Sequence, residues 1–359
     1  MPAAAVAALA LAGAVAIGVA SPGKKLIEFG WDEPDPRFMR EHIAELQASP
    51  FDGCVFHVSY RLKNGTQRNF TWDLWSRNKF TAATLDSARG DLVATKFGRF
   101  RENFLRVNVT PGDLDWFDDH SAVMANLELA ASLAKAGGCP GILFDTESYR
   151  GQLWDFHAQT KDHPHSWAEL SAQARKRGSE AMVALERGYP GLTVFLTMSY
   201  SLSLDETIWG RKPLSDIRYG LLVPFLDGMI AAASDSVGFV DGHEGSYPYR
   251  DPATFAAKAD TVHHGVRRMT AQPERYSRLF SVGFGIWLDY NSDHIGWHAD
   301  RPESNYFTPP GFATSVQAAF DHADRYVWIY TQQPRWWTPE GGRQKLPAAY
   351  DSVLRAVRR

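Results

Sequence analysis

The stretch Gly141-Ile142-Leu143-Phe144-Asp145-Thr146-Glu147-Ser148-Tyr149-Arg150 decides how the chain is read. Residues 141–144 are apolar throughout, as a strand buried on both faces requires. Carboxylates then follow at once. Side chains alternate along a strand, so Leu143, Asp145 and Glu147 fall on one face and Ile142, Phe144 and Thr146 on the other. Two acids on one face, at the C-terminal tip of an apolar strand, occupy the place where parallel barrels keep catalytic groups. The competing reading is an acidic turn before a helix.

Outward from this point, strand and helix signals alternate strictly. Strands are predicted over 25–32, 53–59, 104–109, 192–199, 237–241, 279–289 and 326–331, besides the one at 141. Asp35-Pro36 supplies an N-cap and a proline at the first helical position, and Asp251-Pro252 and Thr308-Pro309 repeat the device. Ser166-Trp167-Ala168-Glu169 is a capping box. Further helices are expected over 81–97, 119–136, 215–233 and 347–357. Phe255, Ala259, Val262, Val266 and Met269 form one apolar helical stripe. Eight strand–helix units imply a parallel sheet closed into a (β/α)8 TIM barrel. An open doubly wound sheet is the alternative, but no Gly-rich phosphate loop follows the first strand.

Parity places the site. The polar faces near the strand ends carry Glu28 on strand one, His57 and Ser59 on strand two, and Arg106 and Asn108 on strand three. Asp145 and Glu147 follow on strand four, Thr197 and Ser199 on strand five, then Asp241 with His243 on strand six. Gly283, Gly285, Trp287 and Asp289 come from strand seven, and Trp328 and Tyr330 from strand eight. Burying so many polar groups without a purpose is costly, so they are expected to face inward at the C-terminal mouth. The loops at that end hold Trp31, Trp72, Trp75, Trp116, Trp154, Trp167, Trp209, Trp297, Trp336 and Trp337, which predict flat apolar platforms of the kind sugar rings stack on.

In these respects the chain resembles the TIM-barrel glycoside hydrolases, on Phe144-Asp145-Thr146-Glu147 after strand four and Gly242-His243-Glu244-Gly245 after strand six. The resemblance implies that Glu147 is the general acid. The common pattern has Asn before that Glu, where this chain has Thr146. The usual nucleophile follows strand seven, where this chain offers Asp289. Glycoside hydrolysis needs two carboxyls, and Glu147 with Glu244 is the expected catalytic pair, Asp289 being the rival partner. Asp145 is expected to orient Glu147 and raise its pKa, or to engage a substrate acetamido group. Expected carbohydrate contacts are Trp31, Asp32, His57, Asn108, Asp145, Tyr200, His243, Trp287, Asp289 and Tyr330.

Composition narrows the alternatives. The 359 residues are 44% apolar and 22% charged, with a net charge of −3, which gives no reason to expect nucleic acid or an anionic membrane as partner. Residues 3–20 are an Ala/Val/Leu stretch with Gly18 and Ala20 placed as a signal peptidase site requires. This predicts a signal peptide over 1–20, a barrel over 25–359, and a secreted or periplasmic protein without stable membrane insertion. Cys54 and Cys139 abut buried strands and read as small hydrophobes. No cofactor is expected. His57, Asp145, Glu147, His243 and Asp289 could ligate a metal for a hydrolase or isomerase, but no His-x-His or His-Glu-x-x-His spacing occurs. A non-catalytic carbohydrate-binding barrel is the second functional class.

Overall fold

The computed structural model describes residues 23–31, 33–337 and 344–358. The expected signal peptide over 1–20 and the predicted contact Asp32 lie outside them. Nine parallel segments make one sheet: β1 (Lys25–Gly30), β2 (Gly53–Phe56), β3 (Phe104–Asn108), β4 (Gly141–Asp145), β5 (Thr193–Leu196), β6 (Gly238–Asp241), β7 (Phe280–Val282), β8 (Phe284–Trp287) and β9 (Tyr326–Thr331). The order runs β8-β9-β1-β2-β3-β4-β5-β6-β7, and its two ends are consecutive in sequence. β7 and β8 are therefore one stave interrupted at Gly283. The first half pairs with β6 and the second with β9, while Gly283 donates its N–H to the Asp241 carbonyl at 2.8 Å. A Cβ at Gly283 would stand 3.1 Å from the Tyr326 carbonyl oxygen, so the crossover has little room for a side chain. The expected eight-stave barrel is observed.

Helices cover the outside, and their starts follow the caps read from sequence. Asp35 Oδ1 accepts the Phe38 N–H at 2.9 Å, and the Ser166 capping box forms with Glu169. Asp251 and Thr308 cap their helices as well. Two details depart from expectation. Tyr200–Gly210 is an additional helix after β5, and the covering helix begins at Leu222 rather than near 215. The connection after β2 contains a small antiparallel hairpin, Ser59–Arg61 with Gln67–Asn69. Cys54 and Cys139 are free and buried, and no helix among the described residues is long and apolar enough to cross a membrane.

The barrel interior is filled by Ile27, Phe29, Val55, Phe104, Leu143, Phe195, Val240, Tyr326, Trp328 and Tyr330. Aromatic rings dominate where branched aliphatics are usual, and the backbone yields to them. A Cβ on Gly285 would sit 2.5 Å from the Trp328 indole. That indole donates to the Gly242 carbonyl at 2.8 Å.

This core corrects the expected parity on two staves. Ile27 and Phe29 point inward, so Glu28 faces outward; it is buried, with Oε1 and Arg335 Nη1 both about 3 Å from where a Gly30 Cβ would stand. Val240 points inward, so Asp241 also faces outward, where Ser201 Oγ donates to it at 2.9 Å. The aromatic rim is corrected too. Trp75, Trp116 and Trp154 are fully buried against Phe225, and Trp337 packs with Phe100. Large apolar surface is worth most when removed from water.

Candidate active site

A cavity of about 240 Å³ opens at the C-terminal ends of the staves. Its aromatic walls are Phe29, Tyr149, Tyr247, Trp287 and Tyr330, and Trp31 stands at the lip, 46% exposed. Its polar groups are Arg106, Asp145, Glu147, Thr197, Glu244 and Gln332.

Arg106 organises one side. The β3–β4 pairing sets Arg106 beside Leu143 and Asn108 beside Asp145, so the guanidinium reaches the acid at the tip of β4. Arg106 Nε and Nη2 donate to Asp145 Oδ2 at 3.1 and 2.5 Å, and Nη1 donates to both Glu33 carboxylate oxygens at 3.0 and 3.3 Å. Nη2 also donates to the Tyr149 hydroxyl at 3.0 Å. Trp72 covers the guanidinium at 4.9 Å from its ring centroid, with Phe29 at 5.3 Å, a cation–π arrangement strengthened by desolvation. Asp145 Oδ1 in turn accepts from the Glu147 N–H at 3.1 Å and from Thr197 Oγ1 at 3.2 Å. Asp145 is thus held on every side, and its backbone contact fixes the turn that carries Glu147.

Glu147 and Glu244 line the same cavity. Burial raises the Glu147 pKa first and the Asp145 charge second, opposed by a hydrogen bond from Tyr149 and by Arg106. Expectation gave Asp145 the leading part; desolvation has it instead. Glu244 is held well above the ordinary carboxylate range by burial, then by the charges of Asp145 and Glu147, with a Tyr247 hydrogen bond opposing. Each glutamate therefore has a tyrosine partner and a like-charged neighbour. Glu244 reaches the cavity because it shares the inward parity of Val240, at a turn where His243 adopts φ 41°.

Several predicted contacts lie elsewhere. His243 points outward, buried between Ser201 Oγ (3.0 Å from Nδ1) and the Tyr249 hydroxyl (3.2 Å from Nε2). Tyr200 is fully buried beneath the helices, its hydroxyl on Asp227 at 2.8 Å. Asn108 is buried with its Oδ1 accepting the Thr110 N–H at 3.0 Å. His57 Nδ1 meets the Glu33 carbonyl at 2.9 Å, which steadies the residue that holds Arg106 without entering the cavity. Asp289 lies behind the wall, where its carboxylate accepts from Trp287 Nε1 at 2.9 Å. Trp31, Asp145, Trp287 and Tyr330 do line the cavity.

The sequence reading did not assign Glu33, Tyr149, Tyr247 or Gln332, and placed Arg106 and Thr197 inward without a role. Tyr149 was within reach, since it continues the alternation of Asp145 and Glu147. Glu33 sits in a loop and is joined to Arg106 only by closure of the barrel. Among the described residues, no group of three or more His, Cys, Asp or Glu is placed to hold a metal ion.

No family model matches the chain, and no curated protein matches it. Solved structures share its outline at low similarity. A putative sugar phosphate isomerase/epimerase from Anabaena variabilis ATCC 29413 is 14% identical with a TM-score of 0.45, covering 93% of this chain and 96% of its own. The exo-beta-1,4-mannosidase Op5Man5 from Opitutaceae bacterium strain TAV5 is 11% identical with a TM-score of 0.45, and the match covers 93% of this chain and 59% of that one. A GH5_18 protein from Streptomyces cattleya in complex with GlcNAc is 16% identical with a TM-score of 0.41, covering 94% and 80%. Likeness at this level assigns the chain no activity.

Proposed function

We propose that the protein is a glycoside hydrolase whose catalytic carboxyls are Glu147 and Glu244. The observation that carries this reading is the convergence of these two glutamates, each shifted upward by burial, on one aromatic-walled cavity. Hydrolysis of a glycosidic bond needs a carboxyl that protonates the leaving oxygen and a second that attacks the anomeric carbon or activates water. Burial favours the protonated form that an acid needs. Tyr247, Trp287 and Tyr330 offer apolar faces for a sugar ring, and Trp31 at the lip offers one for the leaving group. Glu147, at the tip of β4, is the proposed acid, and Glu244 the nucleophile or base. A second reading exchanges the roles, because burial shifts Glu244 upward as well. In both, Asp145 is a positioning residue locked to Arg106. The Ala/Val/Leu stretch before residue 21 supports export, which N-terminal sequencing of secreted protein tests.

The experiment compares substrates with poor and good leaving groups. Glu147→Gln cannot donate a proton, and should depress turnover by about 10²–10⁴-fold on alkyl glycosides or oligosaccharides while sparing nitrophenyl glycosides. Glu244→Gln should slow both. The reverse pattern assigns the acid to Glu244. Small, equal effects of both substitutions would remove the pair from catalysis and leave a sugar-binding barrel.

A further inference from the structure

We infer that the cavity takes one uncharged sugar ring and excludes sugars bearing a phosphate or carboxylate; the inference rests on the glycosidase reading and narrows its substrate class. Arg106 is the one cation among the described residues that line the cavity. A guanidinium carries its N–H donors on three nitrogens, and here each nitrogen is engaged: Nε with Asp145, Nη1 with the Glu33 carboxylate, and Nη2 with Asp145 and Tyr149. Its faces are covered by Trp72 and Phe29. It is 1% exposed. The bidentate fork that makes arginine a receptor for phosphate and carboxylate is thus spent inside the protein. Arg218, beyond the lining, gives Nε to Gln152 and Nη2 to the Ser148 carbonyl.

Besides the neutral Thr197 and Gln332, what faces the void is acidic or aromatic: Asp145, Glu147 and Glu244 with Tyr247, Trp287 and Tyr330. An anionic substituent would meet Asp145 and the ionised member of the Glu147/Glu244 pair, with no free cationic donor among the described lining residues, and like-charge juxtaposition at a desolvated interface is strongly unfavourable. Size agrees with a single ring. A volume of about 240 Å³ is below the roughly 300–1,000 Å³ of pockets that enclose drug-sized ligands, the scale of one pyranose with its hydroxyls. Longer chains would have to continue past Trp31 into solvent.

The test uses the purified full chain and matched nitrophenyl α- and β-glycosides. Glucosides, galactosides and mannosides are each compared with their uronides and 6-phosphates, beside neutral and uronate-containing oligosaccharides. The expected result is hydrolysis of a neutral terminal sugar, released as monosaccharide, with kcat/KM at least about 100-fold above its anionic counterpart. Equal or better turnover of a uronide or 6-phosphate overturns the exclusion while the glycosidase reading stands. Internal cleavage of polysaccharide without monosaccharide release overturns the single-ring assignment alone. Absence of hydrolysis throughout the panel overturns both this inference and the glycosidase reading.

Discussion

Asp289 accepts the indole N–H of Trp287 at 2.9 Å and, through the same carboxylate, the backbone N–H groups of Gln332 (2.9 Å) and Gln333 (2.8 Å). One side chain thereby ties the wall of the cavity on β8 to the loop after β9. Trp287 also meets Tyr247, Tyr290 and Tyr330 edge-on, at centroid distances of 5.7, 5.3 and 5.4 Å. The indole plane is fixed by these contacts, and Asp289 sets its rotation.

Replacing that carboxylate should loosen the wall before it touches the chemistry. Asp289→Ala leaves three donors without their acceptor, and a buried unsatisfied donor costs about 1–3 kcal/mol. KM for a hydrolysed glycoside should rise more than kcat falls, with a lower melting temperature. Asp289→Asn, which keeps one carbonyl oxygen, should fall between. An unaltered KM in a destabilised variant would reduce Asp289 to a strap between two loops.

Arg106 is the larger structural commitment. Arg106→Met strands Glu33 and Asp145 as buried charges, and breaking a buried pair from one side costs about 3–5 kcal/mol. Thermal melts should show that loss. Adding Glu33→Leu should restore part of the stability, since replacing both members of a buried pair by apolar groups is near neutral, but activity should stay low because Asp145 has lost the partner that holds the Glu147 turn. Recovery of activity together with stability would mean that the guanidinium serves packing only.

The outward cluster at β6 predicts a pH signature. Ser201 donates to Asp241, and with His243 neutral, as its burial favours, the chain is completed by Nδ1 donating to Ser201 and Nε2 accepting from the Tyr249 hydroxyl. Burial lowers the His243 pKa to about 3, with a contribution from Lys258, and raises that of Asp241 to about 6. The histidine contribution to stability is complete above pH 6.5 and is lost as pH falls toward 3, because the unfolded chain binds the proton first. The Asp241 contribution has the opposite sign, complete below about 3.8 and lost as pH rises through about 6. Between pH 4 and 6 the two slopes, each at most about 1.4 kcal/mol per pH unit, offset one another. In His243→Asn, a residue that tolerates the positive φ, the Asp241 slope stands alone. The melting temperature of the variant should therefore gain on that of the parent as pH is lowered from 6.5 to 4. A constant difference across that range would contradict the assignment.

Much of the barrel was legible because it is written in local terms. Asp35-Pro36, the Ser166 box, Asp251-Pro252 and Thr308-Pro309 start helices by side-chain geometry that needs no distant partner. The run from Gly141 to Asp145 is strand because every residue in it is buried. Glu147 and Glu244 could be picked out because an acid after an apolar strand, or between two glycines, lacks a local reason.

Parity failed on β1 and β6 for a physical reason. Staves of a barrel are buried on both faces, so hydrophobicity does not tell the interior from the helix layer, and a polar residue signals a buried partner on either side. Glu28 and Asp241 have theirs outside, near Arg335 and at Ser201. Tyr200 and His243 were expected at the site and are instead packed behind it. The tryptophans were read as a rim, but Trp75, Trp116, Trp154 and Trp337 are buried in the packing behind it.

The sequence alone determined the alternation of strand and helix, the end of the barrel at which carboxylates gather, and the two glutamates among them, since each follows from residues close together in the chain. Only the tertiary structure decided that Arg106 is locked between Glu33 and Asp145, that Trp287 is held by Asp289, and that Glu147 and Glu244 share one cavity. Those facts join residues 73, 39 and 97 positions apart, or turn on which way a buried side chain points. Closure of the ring of staves brings such partners together, and no local pattern encodes it.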